Sequence, residues 1–166
     1  MKNKYFLILL FTLLYSINSV FANEVIIESK DINISDNGNR IIAYEGIANS
    51  IEDDLTIKSG KFDYNKNTSI LTATKNAKAV MVEKNIIIYA DKFIFNKNLS
   101  TLNAIGNVEV FDTTNSIAII SNQIFYDINQ NKIESKTPSE IKDKLGNSLL
   151  SKNFIYTLND NLIKFD

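Results

Sequence analysis

The amino-acid sequence predicts an all-β protein of about ten antiparallel strands, built from five repeats of about 30 residues. Short runs of alternating apolar residues, with the period of two that a half-buried strand requires, are separated by Asn-, Asp- and Gly-rich clusters. Equivalent positions return at a nearly constant interval: Ser29, Ser59, Ala90, Ser121 and Ser151 are spaced by 30, 31, 31 and 30 residues. Abundant isoleucine with a single proline and no tryptophan completes a β-prone composition broken by Asn-rich turns. Such regularity favours a repeat architecture over a β-sandwich whose hairpins merely have similar lengths.

Residues 1–22 read as an export signal preceding one domain over 23–166. Lys2 and Lys4 lead an uncharged, mostly apolar run, Tyr5–Tyr15, and Val20-Phe21-Ala22 closes in an acceptable cleavage pattern. A membrane-spanning helix needs about 20 apolar residues, and Asn18 and Ser19 interrupt the run before that length. Cleavage is therefore expected over an uncleaved anchor. Without Lys2 and Lys4 the 18 basic side chains fall to 16 against 19 acidic, a net of −3. This leaves no basic footprint for nucleic acid and no polybasic membrane patch. Cysteine is absent, so stability rests on packing and backbone ladders. Histidine is absent too, which removes the commonest general base, the commonest transition-metal ligand and every Ser-His or Cys-His nucleophile.

The first repeat runs from Val25-Ile26-Ile27 through Ile32-x-Ile34 to the turn Asp36-Asn37-Gly38-Asn39, a strong hairpin signal. Its return strand is Ile42-x-Tyr44-x-Gly46-x-Ala48, closed by Glu52-Asp53-Asp54. The second carries Leu55-x-Ile57-x-Ser59, Phe62-x-Tyr64, a turn at Asn65–Asn67, then Leu71-x-Ala73 and Ala77-x-Ala79-x-Met81. The third carries Ile86-x-Ile88-x-Ala90, Phe93-x-Phe95, a turn at Asn96–Asn98 and Leu102-x-Ala104-x-Gly106-x-Val108-x-Val110. In the fourth, Ile117-x-Ile119-x-Ser121 leads to Ile124-x-Tyr126 and Ile133-x-Ser135, and Pro138 marks an edge or a broken strand end. The fifth has Leu149-x-Ser151, Phe154-x-Tyr156, a turn at Asn159–Asn161 and Ile163-x-Phe165. The stop at Asp166, before a Gly-x-Val element, is expected either of a fragment of a longer chain or of an open edge for docking.

Within each repeat the apolar phase slips once. Leu55, Ile57 and Ser59 are odd-numbered, whereas Phe62 and Tyr64 are even, and Ile86 to Phe95 repeats the slip. A period of two survives this only through a bulge or corner. Each long strand is thus expected to bend round from one sheet face to another, enclosing an elongated apolar interior.

Chemistry-bearing motifs are scarce. Glu52-Asp53-Asp54 reads as a solvated turn rather than a cation site. Asp36-Asn37-Gly38 fails as a calcium loop, because the bidentate acid would fall at Tyr44. Asn67-Thr68-Ser69 and Asn98-Leu99-Ser100 match a glycosylation pattern that an Asn-rich chain produces by chance. No phosphate loop or nucleophile elbow occurs. No enzyme activity, cofactor or metal is expected. The aromatic ladder of Phe62/Tyr64, Phe93/Phe95, Tyr126 and Phe154/Tyr156 has two readings: core packing, or a groove for apolar chains with an accessible mid-section and tyrosine tips at its mouth.

The repeat, stated most clearly in Ala90-Asp91-Lys92-Phe93-Ile94-Phe95 followed by Leu102-Asn103-Ala104-Ile105-Gly106-Asn107-Val108, resembles the OstA/LptA-type jelly-roll family of lipopolysaccharide transport. Lys75 in place of glycine, and Thr137-Pro138 in place of Gly-Asn, depart from the pattern. The resemblance implies an open, elongated β-jelly roll in the periplasm, possessing no catalytic step, that shields the lipid A acyl chains of lipopolysaccharide. It also implies association with other jelly-roll components, or with itself head to tail, through edge strands. Within the family, a periplasmic bridge protein, the N-terminal domain of the outer-membrane translocon and an anchored inner-membrane component all remain open. A structural or adhesive β-solenoid with a dry interior is the reading from another class. By shared phase, the candidate lining of the groove is Ile57, Phe62, Tyr64, Leu71, Ile88, Phe93, Phe95, Leu102, Ala104 and Tyr126.

Overall fold

The computed structural model describes residues 25–165; the expected export signal lies outside them. The first three repeats supply six long strands: β1 (Ile26–Ser35), β2 (Arg40–Ser50), β3 (Leu55–Asn65), β4 (Ile70–Met81), β5 (Ile86–Asn96) and β6 (Thr101–Asp112). Then follow β7 (Ile117–Asp127), β8 (Lys132–Ser135), β9 (Ser139–Lys142), β10 (Ser148–Ser151), β11 (Phe154–Thr157) and β12 (Leu162–Phe165). All pairings are antiparallel and belong to one open sheet, ordered β1-β2-β3-β4-β5-β6-β7-β8-β11-β12, with β9 and β10 branching from β7. The expected ten strands are these twelve segments, because the fourth return strand breaks at Pro138 into β8 and β9, and the following strand breaks into β10 and β11.

The turns work as the sequence implies. Seven of the tight connections close on a residue of left-handed backbone, Asp54, Ser69, Asn85, Ser100, Ser116, Asn131 or Asn161, types enriched in such turns. Turns one repeat apart are also stitched together: the amides of Lys66, Lys97, Ile128 and Leu158 donate to the carbonyls of Asn39, Ser69, Ser100 and Asn131. This continues the ladder along the stack and explains why the turn spacing is held so constant.

The phase slip is a crease. Register shifts fall between Lys58 and Lys61, Thr74 and Ala77, Tyr89 and Lys92, and Ile105 and Val108. Residues before and after the slip are buried on the same side, so Ile57 and Ser59 join Phe62 and Tyr64 inside. The expected bend around one elongated interior is made by one face of one sheet, which folds inward along a crease to give two facing limbs. Only beyond β7 does the sheet fork, where Ala118–Ser121 pairs with β9 and Phe125–Asp127 with β8.

Gly106 and Asn107 show what the crease demands. Both have positive φ, 77° and 46°, and a Cβ on Gly106 would lie 2.4 Å from Asp91 Oδ2. Asn107 Nδ2 donates to the same carboxylate at 2.9 Å. The Ala-Asp and Gly-Asn elements of the repeat are therefore two halves of one corner. In the second repeat Lys75 adopts φ 71° where glycine is expected, and Gly60 on the facing strand supplies the space. At the fork, Ser121, Ser135, Thr137 and Ser139 form a hydroxyl cluster at 3.0–3.1 Å that takes over from the ladder around Pro138.

Candidate functional site

The interior between the limbs is built from cross-strand rows. In one limb the row runs Ala43, Phe62, Ala73, Phe93, Ala104, Ile124. The alternation of alanine with a large side chain lets neighbouring rings interdigitate at close-packed density. The next row is Tyr64, Leu71, Phe95, Leu102, Tyr126, Ile133, Tyr156. The other limb contributes Ala48, Ile57, Ala79, Ile88, Val110, Ile119, Ile141. Every residue of the candidate lining is thus brought into one continuous apolar interior.

Accessibility differs from the expectation. Ile57, Phe62, Tyr64, Leu71, Ile88, Phe93, Phe95, Leu102, Ala104 and Tyr126 are all at most 3% exposed, so the mid-section is packed shut. It is the ends of the stack that stand open. Ile32 and Ile34, at the positions of Phe62 and Tyr64, are 48% and 60% exposed, and at the far end Leu149 and Phe165 are 46% and 42% exposed. The reason is geometric: an end strand has an inward face but lacks a neighbour to complete the packing around it.

A polar seam joins the limb tips opposite the crease. Lys97, in the β5–β6 turn, is buried and places Nζ 2.9 Å from Asp53 Oδ2 and 3.1 Å from Glu52 Oε2. Asp53 also accepts from Ser50 Oγ at 2.5 Å. The reading of Glu52-Asp53-Asp54 as a solvated turn is corrected here, since Asp53 is buried by the lysine that reaches over from the other limb. Burial alone would raise the Asp53 carboxyl, but hydrogen bonds from Lys97, Ser100 and Ser50 outweigh it and hold the group below its ordinary value. For Lys97 burial acts downward, and its bonds to Asp53 and Glu52 carry it above the ordinary lysine value.

Further along the seam, Lys84 Nζ donates to the Ile128 carbonyl at 2.8 Å and lies 5.8 Å from the Tyr126 ring centroid. Tyr156 donates to Asp112 Oδ2 at 2.6 Å and accepts from Asn115 at 3.0 Å. Tyr156 is buried and its hydroxyl ties the limb tips together rather than standing at an open mouth. Burial pushes the Tyr156 phenol up, as does its bond to Asp112, and burial does the same to Tyr126. The Tyr126 hydroxyl has no hydrogen-bond partner. Sequence reasoning missed these seam residues because Lys97 sits in an Asn-Lys-Asn turn that looks fully solvated; its register against Glu52–Asp54, most of a repeat and a half away, was the available signal. No group of residues able to hold a metal occurs among the described residues.

An open sheet folded along a crease around an apolar interior defines a jelly roll that does not close on itself. This is the fold of LptA-like proteins. A similar solved structure is the crystal structure of LptH, the LptA-homologous periplasmic component of the lipopolysaccharide transport device of Pseudomonas aeruginosa, with TM-score 0.55, 10% identity, and coverage of 64% of this chain and 77% of that one. No protein-family model matches the sequence, and no curated protein sequence is similar to it.

Proposed function

We propose that this chain is a periplasmic lipopolysaccharide-transport module that takes up acyl chains between its limbs. The carrying observation is the continuous apolar interior, rimmed by polar seam contacts and uncovered at both ends of the stack. A carrier of acyl chains needs such an interior, because each methylene kept from water is worth about 0.8 kcal/mol. The fold shared with LptH supports the same reading. Lipid enters as the limbs part and the interior side chains repack. The chain binds and conveys without a chemical step, after export on a signal cleaved behind Ala22. The bridge protein fits the reading best; the translocon domain and the anchored component share the same interior.

Tryptophan is absent from the chain, so Phe95→Trp introduces a single interior fluorophore. Lipopolysaccharide carrying brominated acyl chains is expected to quench its emission saturably, and unbrominated lipid is not. Absence of quenching in folded protein would favour the dry solenoid, a reading supported by the packed mid-section.

The open ends support head-to-tail joining. The outer edges of β1 and β12 are unpaired among the described residues, and such edges adhere unless covered. Strand addition between ends would bury Ile32 and Ile34 against Ile163 and Phe165 and build an open chain rather than a ring. Sedimentation velocity should show concentration-dependent growth, abolished by Ile34→Glu. Growth that is unaffected by Ile34→Glu would remove this joint from the account.

A further inference from the structure

Tyr126 brings an unpaired hydroxyl into the seam. The residue is fully buried, and among the described residues its hydroxyl has no hydrogen-bond partner. Packing does not call for that oxygen, because the same position in the third repeat is Phe95, which is equally buried. In the fifth repeat it is Tyr156, whose hydroxyl donates across the seam to Asp112. Tyr126 and Tyr156 flank Ile133 in a row of one limb, while Met81 and Asp112 flank Ile86 in a row of the other. One repeat back, the counterpart of the Asp112 carboxylate is thus a thioether, a weak acceptor. Buried polar groups are nearly always paired, so an unpaired hydroxyl where two limbs meet points to a partner that arrives from outside.

We infer that the Tyr126 hydroxyl donates to the carbonyl of an acyl ester or amide whose hydrocarbon chain lies between the limbs. Given the uptake of acyl chains, on which this site rests, the bond fixes how deep each chain sits. The hydrocarbon runs along Leu102, Phe95 and Leu71, which continue the Tyr126 row inside, and the carbonyl stops at the seam.

The surroundings select a neutral acceptor. Asp54 and Asp112, at the tip of one limb, and Asp127, at the tip of the other, all act electrostatically on the Tyr126 hydroxyl. One ammonium, that of Lys84, lies 5.8 Å from the ring centroid. Three carboxylates around an uncharged O–H donor work against a phosphate or free fatty-acid carboxylate and leave a carbonyl as the favoured partner. This stretch of the seam is also the one suited to part. Lys84 ties the limbs here through a neutral backbone acceptor, the Ile128 carbonyl, at 2.8 Å, whereas Lys97 binds the carboxylates of Asp53 and Glu52. An ammonium is held less strongly by a neutral oxygen than by a charged one.

The test compares two neutral amphiphiles of equal chain length, monodecanoylglycerol, an ester, and decyl glyceryl ether, which lacks the carbonyl. Each is titrated below its micelle concentration into the full chain, with Kd read from amide NMR shifts. The wild-type protein is expected to bind the ester about tenfold more tightly than the ether, the scale of one hydrogen bond to a group otherwise left unpaired. Tyr126→Phe is expected to weaken the ester about tenfold, to leave the ether unchanged, and to raise the thermal midpoint of the ligand-free protein by removing an unsatisfied buried oxygen. Tyr156→Phe, which breaks the bond to Asp112, is expected to lower that midpoint. A hydroxyl that only fills space would not couple a gain in stability to a loss of ester binding. Equal affinity for ester and ether in the wild type, or an ester-to-ether ratio unaltered by Tyr126→Phe, would overturn the site and leave interior uptake standing. A lowered midpoint in Tyr126→Phe would overturn it as well, since the hydroxyl would then be partnered within the fold. Binding of neither amphiphile by folded wild-type protein would overturn interior uptake and this site together.

Discussion

Phe93→Ala is expected to destabilise the protein by about 3–5 kcal/mol, measured as the shift in a urea unfolding midpoint at constant slope. Phe93 is fully buried, and its cross-strand neighbours on both sides are Ala73 and Ala104. Two methyl groups cannot flow into the space a phenyl ring leaves, so the cavity term adds to the lost transfer energy. A domain of this size has about 5–15 kcal/mol in total, which puts the variant near the threshold of unfolding. Ile94→Ala, one residue on and on the opposite face, is expected to stay within about 1 kcal/mol. Equal losses at the two positions would mean that the limbs do not enclose the interior described.

Lys97→Ala is expected to cost about 3 kcal/mol, at the low end of what breaking a buried pair costs, because the exposed Glu52 beside it admits water. The loss arises from leaving Asp53 buried beside Ser50 without its cation. The pH dependence has a definite sign. The Asp53 carboxyl is held below its ordinary 3.8, so its contribution is present above that value and is lost as pH falls through the folded value. Lys97 is held above 10.5, so its contribution is present below that value and is lost as pH rises beyond it. Unfolding free energy should therefore be flat between about pH 5 and 9 as far as this pair is concerned. Lys97→Ala should lessen the acid-side loss, and adding Asp53→Asn should restore much of the stability at neutral pH. An additive double variant would show that the two groups do not interact across the seam.

The strands, turns and repeat were legible because each rests on local rules. A period of two, an Asn-rich turn and a spacing of 30–31 residues survive without knowledge of tertiary packing. The crease was visible as a phase slip, and the broken fourth return strand as Pro138. Its facing geometry was not visible, since a slip says that a strand bends but not which face turns inward. The candidate interior was legible as a set of residues, Phe62, Phe93, Leu102 and their companions, because shared phase places them on one face. Their accessibility was not, because it depends on the opposite limb. Asp53 shows the limit most plainly: three adjacent acids look solvated until Lys97 arrives from another repeat. Lys75 shows the converse, a visible departure from the repeat whose compensation lies in Gly60 on the facing strand.

The central claim, that acyl chains occupy the space between the limbs, is tested most directly by photo-crosslinking to lipopolysaccharide from a photoreactive residue. Phe93, Phe95 and Leu102 face inward, and Ile94 faces outward from the same strand as Phe93 and Phe95. The account predicts lipid adducts from the three inward positions and none from Ile94. Adducts absent from all three inward positions in folded protein with lipid present, or equally abundant at Ile94, would contradict it.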